Sequence, residues 1–271
     1  MQTRSVQHAI NTHFSEQLDV IGFYQTNPLL EIDGSLHLPE EIRHASSGHR
    51  LFLSASKKTN EAHSLVTGLI KLPGNGLRIT LKNLDFSNII ALREYGARPA
   101  ILSASAVLLC RETEELIVHQ RSADVATHAN HWHILGGAFN PLLDTADGQA
   151  SMARTLQREL FEETGLHLSL PETSPLVLSK EKMSGFIQCC MLGVPVKEAQ
   201  LTQLSSNWEG RIHRVGFHQL ANLFNDKNWV ASGKAHILCW LALGAPLTKP
   251  GQKFGTYTPQ QLFEMLISAH Q

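Results

Sequence analysis

Apolar positions fall in short runs separated by turn residues, and the length and period of each run predict an element. Residues 101–110, 116–121, 186–196 and 211–217 are apolar-rich stretches of strand length, as are 18–24, 50–54, 64–71 and 77–82 nearer the start. Such runs suit pleated, partly buried strands. Leu72-Pro73-Gly74-Asn75-Gly76 is a turn that predicts a hairpin. Helical spacing replaces the strand pattern at Ala153, Leu156 and Leu160, and again over 218–224, 234–243 and 260–269. Pro39 ahead of Glu40-Glu41 opens a further helix, and Asp85 is the expected N-cap of one reaching Arg93.

These elements divide the chain into an N-terminal α+β domain (1–98), a central α/β domain (99–247) and a C-terminal helical tail (248–271). The first third carries no catalytic spacing. It is expected to shape substrate access or to form a homodimer interface, and the tail to dock back or join such an interface. At 271 residues and 42% hydrophobic composition, the chain suits one large or two modest domains. A net charge of −1 gives no electrostatic footprint for nucleic acid or an anionic membrane. There is no run of eighteen apolar residues, so no membrane span is expected, and residues 1–14 lack the apolar core of a signal peptide. Cys110, Cys189, Cys190 and Cys239 lie in apolar runs without C-x-x-C spacing, which reads as reduced, buried thiols in a cytoplasmic protein.

The candidate chemistry sits in Arg158-Glu159-Leu160-Phe161-Glu162-Glu163-Thr164-Gly165-Leu166. Glu159, Glu162 and Glu163 stand at i, i+3 and i+4, which share one helix face at roughly 5–6 Å spacing. Like charges so placed destabilise a helix, and a bare acidic triplet reads as a solvated face. A divalent cation reverses that sign, since three hard oxygen donors on a rigid element suit Mg²⁺. Gly165 supplies the αL residue that ends the helix, and Leu166 returns to apolar structure.

This stretch resembles the box of the Nudix hydrolases, G-x5-E-x7-R-E-U-x-E-E-x-G-U with U aliphatic. The nine positions from Arg158 to Leu166 match in full, and Leu135-Gly136-Gly137 is similar to the glycine pair that opens the box. The resemblance implies an α/β/α sandwich with a mixed sheet over about residues 99–247, preceded by the small α+β domain. It implies Mg²⁺ or Mn²⁺ as cofactor, held by Glu159, Glu162 and Glu163, with Arg158 orienting one of them. Two departures stand out: twenty residues separate Gly137 from Arg158 where the box has thirteen, and the position eight before Arg158 is Ala150 rather than Glu. Residues 140–148 therefore read as an inserted loop. The expanded box also resembles the UDP-sugar-cleaving Nudix proteins that carry an extra N-terminal domain.

The chemistry so implied is attack of water on phosphorus, which needs a general base. Glu162 or Glu163 can serve, as can Glu209 or Glu181, both expected on loops flanking strands. Arg121, Lys180 and Lys182 are candidates for neutralising phosphates, Gly136 and Gly137 for close approach to them, and Trp132 for packing on a base or sugar. His128, His131 and His133 lack the partners and spacing of a zinc site. The expected substrate is a small nucleoside diphosphate derivative, a UDP-sugar first. ADP-ribose, a dinucleotide or a coenzyme A derivative remains an alternative, as does a catalytically silent nucleotide-binding module.

Overall fold

In the computed structural model, which describes residues 3–56, 58–125, 128–170, 175–225 and 228–268, two sheets and their helices form the body of the protein. The chain begins with α1 (Thr3–His13), β1 (Leu18–Tyr24), β2 (Leu29–Ser35), α2 (Glu40–Ala55), β3 (Ala62–Leu72), β4 (Gly76–Asp85) and α3 (Phe86–Glu94). Then come β5 (Leu102–Cys110), β6 (Glu115–Arg121), β7 (Trp132–His133), β8 (Leu135–Ala138), a hairpin of β9 (Thr145–Ala146) and β10 (Gln149–Ala150), and α4 (Met152–Thr164). The rest is β11 (Leu176–Glu181), β12 (Ile187–Pro195), α5 (Glu198–Leu201), β13 (Gly210–Gly216), α6 (Leu220–Phe224), α7 (Ala231–Ala242) and α8 (Pro259–Ser268). The last helix expected from the sequence ends at Ala269, which lies outside the described residues.

The large sheet runs β1-β11-β12-β5-β6-β13 and is mixed, with β5 and β12 parallel and the other pairs antiparallel. Every residue of β5 is buried, as expected of a strand covered on both faces. One face packs on α7, α8 and α1 through Trp240, Phe263, Ile10 and Val107. The other packs on α4 through Leu156, Leu160 and Leu108, and on the small sheet β2-β4-β3 through Leu77, Ile79 and Leu81. The result is the expected α/β/α sandwich.

A break in the sheet positions the site. One edge of β5 is shared: residues 108–110 pair with β6, whereas residues 103–106 pair with β8. β6 thus parts from β5 where β8, with the glycine pair, enters.

Two expectations change. Residues 50–54, read as a strand, lie inside α2, with Leu51 and Phe52 exposed and only Leu53 buried. A short apolar run cannot by itself distinguish strand from helix, and here the helix opened at Glu40 simply continues. Residues 1–98 do not form one unit: β1 is the edge strand of the large sheet, α1 packs under α7, and only 29–94 make the separate α+β layer. The cause is that Val6, Ile10, Leu18 and Val20 bury their side chains in the main core. The tail docks back as expected, with Leu262, Phe263, Leu266 and Ile267 of α8 joining that core. Among the described residues no helix is long and apolar enough to cross a membrane, and the four cysteines are buried and free.

Candidate active site

The acidic helix α4 ends at Gly165, whose φ of 75° is the left-handed cap expected there. Its three glutamates do not share one solvated face. Glu162 is exposed, Glu159 is part-buried and Glu163 is only 5% exposed, on the same side as Leu156 and Leu160. Packing of α4 against β8 turns the acidic edge inward, towards the glycine pair.

The glycines are required by that approach. Gly136 has φ 140°, and a Cβ there would lie 2.1 Å from the Ala104 carbonyl oxygen. At Gly137 a Cβ would lie 2.2 Å from Glu159 Oε2. Freed of side chains, the turn brings Gly136 N within 2.7 Å of Glu163 Oε2, to which it donates.

Arg158 ties the helix to the inserted loop. Its Nε and Nη2 donate to Asp144 Oδ1 and Oδ2 at 2.8 and 2.9 Å, a bidentate pair with a carboxylate of a fully buried residue. Nη1 donates to Glu159 Oε1 at 2.8 Å and Glu162 Oε2 at 3.1 Å, and Nη2 also donates to the Ala138 carbonyl. Burial alone would lower the Arg158 value, but the bonds to Asp144 and the charge of Glu159 outweigh it and hold the guanidinium above its ordinary range.

Asp144 was not among the residues singled out from the sequence. Counting back from Arg158 leads to Ala150, which sits in β10, yet the acid that meets Arg158 is supplied from the turn at Asn140, whose backbone N also donates to Asp144 Oδ2. Counting forward from Gly137 puts the box acid at position 143, one residue before Asp144. The rest of the insertion is then the β9–β10 hairpin, which packs against β2.

Around this edge the carboxylates crowd one another. Burial, then Glu163 and Glu162, push Glu159 up to about 8 against the pull of Arg158. Burial and then Glu163 raise Glu209, with Arg121 and His119 opposing. His119 Nδ1 lies 3.4 Å from Glu163 Oε1, too poorly aligned for a hydrogen bond. Hard oxygen donors gathered on one helix edge fit a divalent cation such as Mg²⁺ or Mn²⁺. Among the described residues no three such side chains are yet drawn into a closed cage, since Arg158 holds Glu159 and Gly136 N holds Glu163.

The other candidates separate. Glu209 lies on the turn before β13, as expected, its carbonyl accepting from Ser122 N at 2.6 Å. Glu181 is not on a loop: it is the last residue of β11, buried, and accepts from Ser184, Gln188 and Ser232 on the α7 side of the sheet. Arg121, at the end of β6, lines a cavity with Gly136 and Gly137. Lys182 turns away to Asp19 (3.3 Å) and the Ser15 carbonyl, and Lys180 is exposed opposite Asp19 on β1. Trp132 packs against His213 and Trp229 beside the core rather than presenting an open ring.

The model of the NUDIX domain matches residues 100–241, just over half of the chain. No curated protein matches it by sequence. Among solved structures, it is similar to the MutT protein of Methanosarcina mazei Go1, at 18% identity and a TM-score of 0.37, over 64% of this chain and 96% of that one. It is also similar to a bifunctional NMN adenylyltransferase/ADP ribose pyrophosphatase of Francisella tularensis complexed with AMP and a Mn ion. There the identity is 14% and the TM-score 0.43, over 57% of this chain and 46% of that one. Because the matched domain runs from the start of β5 almost to the end of α7 and takes in the whole carboxylate edge, the chain belongs to the Nudix family and is a pyrophosphohydrolase of that kind.

Proposed function

We propose that the protein hydrolyses the pyrophosphate bond of a nucleoside diphosphate joined to a sugar, a UDP-sugar in the first instance, giving UMP and a sugar 1-phosphate. The observation that carries this reading is the inward-turned acidic edge of α4, braced by Arg158 and Asp144 and closed onto a glycine pair whose lack of side chains lets Glu159 and Glu163 reach the backbone of β8. Glu159, Glu162 and Glu163 would hold Mg²⁺ or Mn²⁺. When bound, the cation screens the diphosphate charge and lowers the pKa of water.

Glu209 is the base in this reading: it stands on the turn before β13, and burial and then the charge of Glu163 raise its carboxyl above the usual carboxylate range. It accepts a proton from water as the water oxygen bonds to phosphorus. The bridging P–O bond breaks, and the leaving phosphate carries the electron pair. Arg121 beside the glycines pairs with a phosphate oxygen, while Lys182 is engaged by Asp19 and Lys180 lies opposite Asp19 at the β1 edge, so neither is assigned that role. Glu181, buried away from the acidic edge, is better suited to binding than to proton transfer.

The test is a panel of UDP-sugars, ADP-ribose, dinucleotides and coenzyme A with Mg²⁺ or Mn²⁺, followed by phosphorus NMR. Turnover of a UDP-sugar to UMP, lost in Glu162→Gln with Glu163→Gln, is the expected result. Turnover that survives the double substitution sinks the metal assignment. Preference for another substrate replaces the sugar reading, and no turnover of any substrate favours a silent nucleotide-binding module.

A further inference from the structure

Behind the glycine pair, on the α7 face of the sheet, lies a cavity of about 150 Å³. Gly136, Gly137 and Ala138 form one wall, and Gly137 also packs against Glu159, so the cavity and the acidic edge share that wall. Its floor is polar and buried. Gln188, 6% exposed, donates from Nε2 to Glu181 Oε1 at 3.2 Å, which leaves its own Oε1 buried without a partner. Glu181 accepts on Oε1 from Ser232 and Gln188, and on Oε2 from Ser184 alone. A carboxylate has about four acceptor positions, so one on Oε2 stays open.

The far wall belongs to the α+β layer. Arg93 of α3 stands 5.6 Å over the Phe186 ring and has no carboxylate partner among the described residues. With His128 and Ser184 it also lines an outer hollow that leads to the surface.

The lining selects its occupant by what it lacks. Open acceptors on Gln188 and Glu181 ask for hydroxyl or amine donors, and they repel a phosphate. Arg93 asks for acceptors, and it repels an ammonium group. The volume is below the roughly 300–1,000 Å³ of pockets that take drug-sized ligands, which excludes a whole nucleoside. A group that donates and accepts densely in a small volume, with C–H faces for Phe186, is a sugar ring.

We propose that this cavity seats the sugar ring of the substrate, with Gln188 and Glu181 accepting from its hydroxyls and Arg93 donating to its oxygens. The inference rests on the nucleotide-sugar reading above and adds the residues that choose the sugar. It also gives the α+β layer a role as one wall of the specificity pocket.

The test is saturation-transfer NMR with glucose 1-phosphate and, separately, UMP as probes, on the wild type, Gln188→Leu and Arg93→Gln. Expected are transfer to the sugar ring protons in the wild type, at least fivefold weaker in both variants, and UMP signals unchanged throughout. Absence of sugar transfer in the wild type overturns the proposal, as does equal transfer in either variant. Should Gln188→Leu lose UMP binding through misfolding, Arg93→Gln at a part-buried helix position decides alone. Sugar binding without turnover of any UDP-sugar would sink the hydrolysis reading and leave the seat standing. Turnover with unchanged preference among UDP-sugars in both variants would sink the seat and leave hydrolysis standing.

Discussion

Arg158 offers its donors in a planar fork, and Asp144 engages two nitrogens of it from a turn that the acidic run does not contain. Without that anchor the guanidinium would swing freely between Glu159 and Glu162. Asp144→Asn keeps the shape and removes the charge. It is expected to lower kcat by about 10- to 100-fold, the range seen when partners behind metal ligands are altered. Steady-state kinetics with the best substrate of the panel would check this, and an unchanged kcat would remove Asp144 from the machinery. The glutamates and Arg158 were legible because they are contiguous and their spacing has one helical meaning. Asp144 was not, since the insertion changes the count between it and Arg158. The burial of Glu181 was hidden for a different reason: Gln188 and Ser232 meet it only once β12 and α7 are in place.

At the scale of elements, α7 shows how burial sets a pH dependence. It is buried over most of its length, and His236 within it accepts or donates one bond, to Ser179 Oγ at 2.9 Å. Burial pushes His236 down to about 3 from an ordinary value of 6.5. His133, on β7 against Ser232, is pushed down to about 3 by burial first and by Arg121 second. Both are therefore neutral when folded and take up protons on unfolding below about pH 6.5. Stability from this source is complete above that pH and falls as pH drops towards 3, by about 1–1.5 kcal/mol per pH unit for each histidine. Urea unfolding between pH 7 and 4 should show that slope, and His236→Gln should flatten it by about one proton's worth. An unaltered slope would mean that His236 stays uncharged in both states or charged in both.

Across the whole molecule, the N-terminal helix and the last helix close one face of the sheet together. Ile10 is fully buried there among Val20, Trp240 and Phe263. Ile10→Ala should cost about 2–5 kcal/mol, the usual range for a buried aliphatic truncation. The urea midpoint should fall accordingly, with kcat unchanged wherever the protein remains folded. A change in midpoint of less than a tenth of that size would mean that α1 is not part of the cooperative core. The α+β layer of residues 29–94 does different work, because it covers the α4 face through Leu77, Ile79 and Leu81 and extends Arg93 towards the cavity.

The sequence by itself determined the strands β5, β6, β12 and β13, the acidic helix with its glycine stop, and the glycine pair. Each of these is written in local period or in turn chemistry, which neighbouring residues specify without distant help. The tertiary structure alone decided that β1 closes the sheet, that Asp144 meets Arg158, that one glutamate turns inward, and that Gln188 and Glu181 floor a cavity. Those outcomes depend on groups far apart along the chain. They follow from burying apolar side chains and satisfying the polar atoms carried in with them, which fixes distant partners only once the whole core has formed.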